Sequence, residues 1–183
     1  HNISKRLTII KMSSSSTKKK PALYARKLLD KLRTLHSNTS LESRQTLANW
    51  MVFNRKKAEG MAEGMLLAVN ATTPTTTATA ATDGQPLSSP PQQQQEDPSA
   101  RLMLLLRILH QVFIEGKDDS DTFQKSAQLR FILADVALIP LLQALANNCT
   151  AAAAAVESSD QYHAQVKEMI DQWKEYSVFD GPT

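Results

Sequence analysis

The 183-residue chain has one cysteine, four scattered histidines and five glycines, and each scarcity removes a class of chemistry. Cys149 alone can neither close an internal disulfide nor supply a multi-cysteine zinc site, and it fits a reducing compartment. His1, His36, His110 and His163 form no His-x-x-x-His or His-Glu pair, so no metal site is expected. The glycines make neither a Gly-x-Gly-x-x-Gly nor a Walker loop, which speaks against dinucleotide and nucleoside triphosphate binding. No cofactor is expected. The carboxylates gather in turns, as at Asp118, Asp119 and Asp121, and no nucleophile-base constellation occurs, so the expectation is a protein that is not an enzyme. Residues 1–20 mix charges with a four-Ser run and lack the apolar core of a signal peptide. The longest apolar stretch, Phe131 to Ala146, carries Asp135 and Pro140 and falls short of a bilayer span, so it reads as a core helix. The Asn148-Cys149-Thr150 triplet matches the glycosylation acceptor pattern and reads as chance.

What is present is apolar content of 42% and a lopsided charge layout. The length and apolar fraction support one packed domain plus unstructured material. Residues 1–70 hold 14 Lys and Arg against 4 acids, whereas residues 71–183 hold 7 against 14. A basic first part favours anionic partners, and helix solvation gives the same count.

Helical periodicity organises the chain. Residues 1–20 are basic, Ser-rich and aperiodic, a disordered lead-in in which Lys18 to Pro21 reads equally as a nuclear localisation signal or a solvated linker. Ala22, Ala25, Leu28, Leu29, Leu32 and Leu35 repeat at three and four, which predicts a first helix broken by residues 36–40. Ser40 is placed to cap the next one, with Glu42 suiting the helix dipole. Leu47, Met51, Ala58, Ala62, Met65, Leu66 and Val69 continue the stripe, widened by Trp50 and Phe53. Gly60 and Gly64 each cost about 1 kcal/mol relative to Ala inside a helix, so a break near Lys57–Gly60 and two helices are expected. Their four-residue spacing in a charged segment reads as close packing of helices in water.

Residues 70–100 are mostly Thr, Ala, Pro, Ser and Gln, a composition that forms no packed element. Lengthening a short connection to this size adds only about 1.8 kcal/mol of closure entropy, so an insertion within one domain is tolerable. Asp97-Pro98-Ser99 starts a nearly continuous apolar run from Arg101 to Glu115, the profile of a central buried helix. A turn over 116–121 follows, and then a stripe of Phe123, Ala127, Phe131, Ile132, Val136, Leu138 and Ile139. Pro140 predicts a kink or restart before Leu141 to Asn148. Ala151 to Ala155 is helix-prone but featureless, and Asp160 to Tyr176 closes the domain with Val166, Met169, Ile170 and Trp173 on one face. No strand pattern occurs. The expectation is an all-α domain of about seven to eight helices over 21–180, with a disordered insertion at 71–98.

Three stretches in this order carry a resemblance: Trp50 to Ala58 (WMVFNRKKA), Leu138 to Leu141 (LIPL) and Val166 to Asp180 (VKEMIDQWKEYSVFD). With the central run RLMLLLRILHQVF over 101–113, they resemble the CID (or RPR) domain, the helical reader of the RNA polymerase II C-terminal tail. The resemblance covers roughly 22–70 and 100–180. It implies a right-handed superhelical arrangement of the ENTH/VHS type, a nuclear location, a role in pre-mRNA splicing and processing, and no membrane partner. It also implies a groove between the second, fourth and seventh helices that takes an extended phosphorylated heptad peptide. The Asp or Asn that bonds the peptide backbone in such domains falls on His110, a Tyr on the same helix becomes Arg107, and an Arg of the closing helix becomes Glu168. A carboxylate there repels phosphate, so phosphate recognition passes to Arg44, Arg107 or Lys167.

The residues lead to the same place. His110 is a polar group on a helix otherwise built for burial, and Arg107, three positions earlier, shares its face. With Arg44 and Arg55-Lys56-Lys57 as basic groups suited to phosphate, the peptide-binding residues that the resemblance implies are Arg44, Arg107, His110 and Lys167. Two other readings use the same features. One is a scaffold that binds another splicing protein or RNA through the basic first part; the other is an ENTH/VHS-like membrane-trafficking adaptor.

Overall fold

The computed structural model describes residues 22–73, 97–151 and 156–179, and all regular structure among them is helical. The lead-in over 1–20, most of the 71–98 insertion and the alanine run at 152–155 lie outside the described residues.

Helix α1 (Leu23–Arg33) buries Ala25, Leu28 and Leu32 against α3 (Ala58–Thr72). The two backbones come very close. A Cβ at Gly64 would lie 2.8 Å from the Ala25 carbonyl oxygen and 2.9 Å from its Cα, so only glycine fits this crossing. The Gly60–Gly64 spacing thus serves helix packing, and the expected break into two helices ends at Lys57, just before these glycines.

That break follows α2 (Leu41–Phe53). Ser40 caps its start, the hydroxyl accepting from the Ser43 amide at 3.3 Å. At its end the Asn54 side-chain amide donates to the Trp50 carbonyl at 2.7 Å, offering the backbone a local alternative to further helix. A 3-10 turn over Arg55–Lys57 then leads into α3. Phe53, expected to widen the apolar stripe, is 84% exposed, because the stripe ends with the helix while Met51 and Val52 take the inward positions.

Helix α4 (Pro98–Ile114) is the centre of the domain. Asp97 caps it by accepting from the Ser99 and Ala100 amides, and Pro98 occupies a first-turn position where its missing N–H costs nothing. Since α3 reaches Thr72 and α4 begins at Pro98, the ends of the expected insertion are helix. Nine apolar residues from Leu102 to Phe113 are buried, and α4 packs against α2, α3, α7 and α8. Arg101 ties it to α1: its guanidinium donates to the Leu32 carbonyl at 2.8 Å, which also accepts from the Leu35 amide at 3.2 Å, and to the Leu35 carbonyl just past the α1 terminus.

After a turn in which Gly116 adopts φ +75°, α5 (Ser120–Lys125) and α6 (Ala127–Leu133) are separated at buried Ser126. The inward stripe is Leu129, Leu133, Ala137 and Leu141, whereas Phe131 and Ile139 are 39% and 55% exposed. Arg130 explains the shift. It is only 3% exposed and donates to the carbonyls of Val178 (3.2 Å) and Phe123 (2.6 Å) and to the Ser126 hydroxyl (2.7 Å). Burial pushes this guanidinium down to about 10, which leaves it charged at neutral pH. Its inward orientation leaves Phe131 and Ile139 on the outer face, while Leu138 of the expected stripe is buried and Phe123, Ile132 and Val136 pack partly buried against the core.

Pro140 neither stops nor restarts the helix. A π-helical turn over Ala134–Leu138 joins α6 to α7 (Ile139–Ala151), and the wider turn accommodates the proline ring and its missing hydrogen bond. Within the resulting helix the 22 residues from Ala127 to Asn148 are long and apolar enough to cross a membrane, which the expected stretch was not. The helix packs against α3 and α4.

Helix α8 (Val156–Glu175) closes the domain. Its end is a Schellman motif: the Val178 amide donates to the Trp173 carbonyl at 3.0 Å, the Ser177 amide to the Lys174 carbonyl at 3.1 Å, and Ser177 adopts φ +49°. The reversal sends fully buried Val178 and the Phe179 ring back onto the core, where Phe179 meets Phe113 edge-on at 5.3 Å.

Candidate functional site

Almost every face of α4 is covered by another helix, which leaves one strip of side chains to define any opening. Arg107, His110, Gln111 and Ile114 stand at helical spacing on that strip and are only half-buried. With Leu41 and Arg44 of α2, and Gln165, Glu168, Met169 and Gln172 of α8, they line a shallow groove of about 380 Å³. Three helices far apart in sequence build it.

Arg107 is held in place by a hydrogen bond from its guanidinium to the Gln165 side-chain oxygen at 2.6 Å. Arg44 has no such anchor. Its Nε is buried without a hydrogen-bond partner, and burial together with the neighbouring Arg107 charge pulls its pKa downward. The groove thus contains two guanidiniums against the one carboxylate of Glu168, and neither arginine is ion-paired among the described residues.

His110 accepts a hydrogen bond at Nδ1 from the Trp173 indole N–H at 3.0 Å. That bond requires the neutral tautomer with the proton on Nε2. Burial first, then the Arg44 and Lys117 charges, lower the His110 pKa and favour the same neutral form. His110 therefore brings a fixed N–H donor to the groove, a different chemistry from a carboxylate acceptor at that position.

Three of the four expected residues, Arg44, Arg107 and His110, share this groove. Lys167 does not. It is exposed on the outer side of α8, paired with Asp171 at 3.0 Å, and borders a separate depression with Ala164, Asp171 and Glu175. Glu168 and Gln172 line both depressions and lie between them. Sequence reasoning missed Gln165, Gln172, Leu41 and the tautomer-setting role of Trp173. Gln165, Glu168, Met169 and Gln172 recur at three and four along α8, so the signal was there, beside the apolar stripe that masked it.

No group of three His, Cys, Asp or Glu side chains among the described residues could hold a metal ion. Comparisons of the chain with family profiles, with characterised proteins and with solved structures find no match.

Proposed function

We propose that the chain is a CID-type interaction module, of the kind found in the calcium homeostasis endoplasmic reticulum protein, that docks an extended phosphorylated peptide of the RNA polymerase II C-terminal tail. In this reading it works in the nucleus in pre-mRNA splicing and processing, with its helices in a right-handed superhelix, and it is not an enzyme. One observation carries the proposal: Arg44 and Arg107, mutually repelling and unpaired by any carboxylate among the described residues, border one open groove with the fixed donor of His110. An anionic peptide relieves the repulsion, and the buried Arg44 Nε gains an acceptor. His110 Nε2–H donates to a peptide carbonyl, and Met169 and Ile114 offer apolar contact to side chains of a stretched chain. With two cations and one anion lining the groove, phosphorylated peptides bind more tightly than unphosphorylated ones despite Glu168.

The test is a titration with labelled heptad-repeat peptides, unmodified and serine-phosphorylated. Saturable binding of the phosphorylated form is expected, weakened at least about fivefold by Arg44→Ala or Arg107→Ala through loss of one charge-assisted hydrogen bond. No saturation by either peptide below about 1 mM, roughly 4 kcal/mol of binding, removes the reader function.

A further inference from the structure

A second basic surface lies outside the groove and shares no lining residue with it. It is built from α1, the end of α2 and the 3-10 turn. The Tyr24 and Trp50 rings stack with centroids 6.3 Å apart and 25° between planes. Lys27 sits 5.2 Å over the Tyr24 ring and Lys31 5.1 Å over Trp50. One helical turn beyond Trp50, Phe53 stands 84% exposed, a ring that the fold leaves uncovered. The chain then passes through Arg55, Lys56 and Lys57, which with Tyr24 and Leu23 border a depression of about 380 Å³.

The charge on this surface is one-sided. Lys27, Lys31, Arg55, Lys56 and Lys57 form no ion pair among the described residues, and Glu59 is the one acid on the rim of the depression. Nearby Asp30 is paired with Arg33, and Glu63 accepts from the Ala22 amide. An exposed aromatic ring followed by adjacent cations, with further aromatics under lysines beside it, is the composition that binds single-stranded nucleic acid: bases stack on rings and phosphates meet the cations. A bilayer surface also attracts cations, but it needs a continuous apolar face to insert, and here lysines lie over two of the three rings.

We propose that this α1–α2 surface binds single-stranded RNA, with Phe53 stacking a base and Arg55, Lys56 and Lys57 contacting the backbone phosphates. The site operates independently of the peptide groove, so one module holds both a tail peptide and an RNA strand.

The test uses the full chain and a fluorescent 12-nucleotide oligouridine, followed by anisotropy. Saturable binding at 50 mM salt is expected. Three to four phosphate contacts predict a fall of about 20- to 50-fold on raising salt to 200 mM, from a slope of roughly −0.7 per contact. Phe53→Ala weakens binding about tenfold through loss of one stacked base. The triple variant Arg55→Gln, Lys56→Gln, Lys57→Gln flattens the salt dependence, and Arg44→Ala leaves RNA affinity unchanged. Because Phe53 is a surface residue, its variant keeps the parent's circular dichroism and melting temperature. The proposal is overturned by absence of saturable binding at 50 mM salt. It is equally overturned if Phe53→Ala and the triple variant both bind as the parent does, which assigns the RNA to another basic segment. Sedimentation with anionic vesicles lost on Phe53→Ala, with no RNA binding, reassigns the surface to membranes and also overturns it.

Discussion

Trp173 of the closing helix donates its indole N–H to Nδ1 of His110 on the central helix at 3.0 Å, and through this bond the packing of α8 sets the chemistry of the groove. The same indole stacks edge-on against Phe113 at 5.3 Å, so a core side chain and a site side chain are held by one ring.

Trp173→Phe separates these two roles. The phenyl ring keeps most of the apolar contact, and loss of the N–H costs about 1 kcal/mol for the hydrogen bond plus a smaller term for the missing ring volume. The bond favours neutral imidazole, so its loss raises the His110 pKa. An NMR titration of the His110 ring in both proteins checks this. An unchanged His110 titration shows that the indole has no hold on the tautomer.

His110 also makes stability depend on pH in a defined direction. Its folded pKa lies below the unfolded value of 6.5, so the unfolded chain binds the extra proton between the two values. The associated stability is fully present above about pH 6.5 and is lost as pH falls through the folded pKa. His110→Asn removes this contribution. The difference in urea-unfolding free energy between parent and variant is then constant from pH 7 to 8 and shifts toward the variant below pH 6.5; a constant difference down to pH 5 contradicts it.

Gly64→Ala pits helix propensity against packing. Alanine is better by about 1 kcal/mol inside a helix, but its Cβ collides with the Ala25 backbone, where nothing can rotate away. Net destabilisation of about 1–3 kcal/mol is expected, from overpacking. Gly60→Ala meets the Tyr24 Cβ at 3.2 Å and costs less. Chemical denaturation of the two variants should rank them in that order.

Ser177→Gly tests the C-terminal Schellman motif. A non-glycine residue at φ +49° incurs about 1 kcal/mol that glycine avoids. The variant should therefore melt a few degrees higher than the parent, with Trp173 fluorescence unchanged. A lower melting temperature means that the serine side chain makes a contribution the backbone does not reveal.

Much of the helical framework is legible from residue spacing. Ser40 and Asp97 announce their caps, the run from Leu102 to Phe113 announces a buried helix, and the Trp173 stripe announces the closing one, since each signal is local and repeats with the period of the helix. The errors came where a non-local partner outweighed the pattern. Arg130 looks like a surface residue until the Val178, Phe123 and Ser126 oxygens surround it, and its burial reverses the face that Phe131 and Ile139 were expected to occupy.

The candidate site divides in the same way. Composition and spacing alone determined an all-α chain with a basic first part, and singled out Arg107 and His110 as polar groups on an apolar helix. Only the tertiary structure decided that Arg44 joins them, that Lys167 faces away to Asp171, and that Trp173 fixes the proton of His110. The physical reason is one of range: helix periodicity is written within a few turns of chain, whereas a groove exists only where the side chains of separate helices meet.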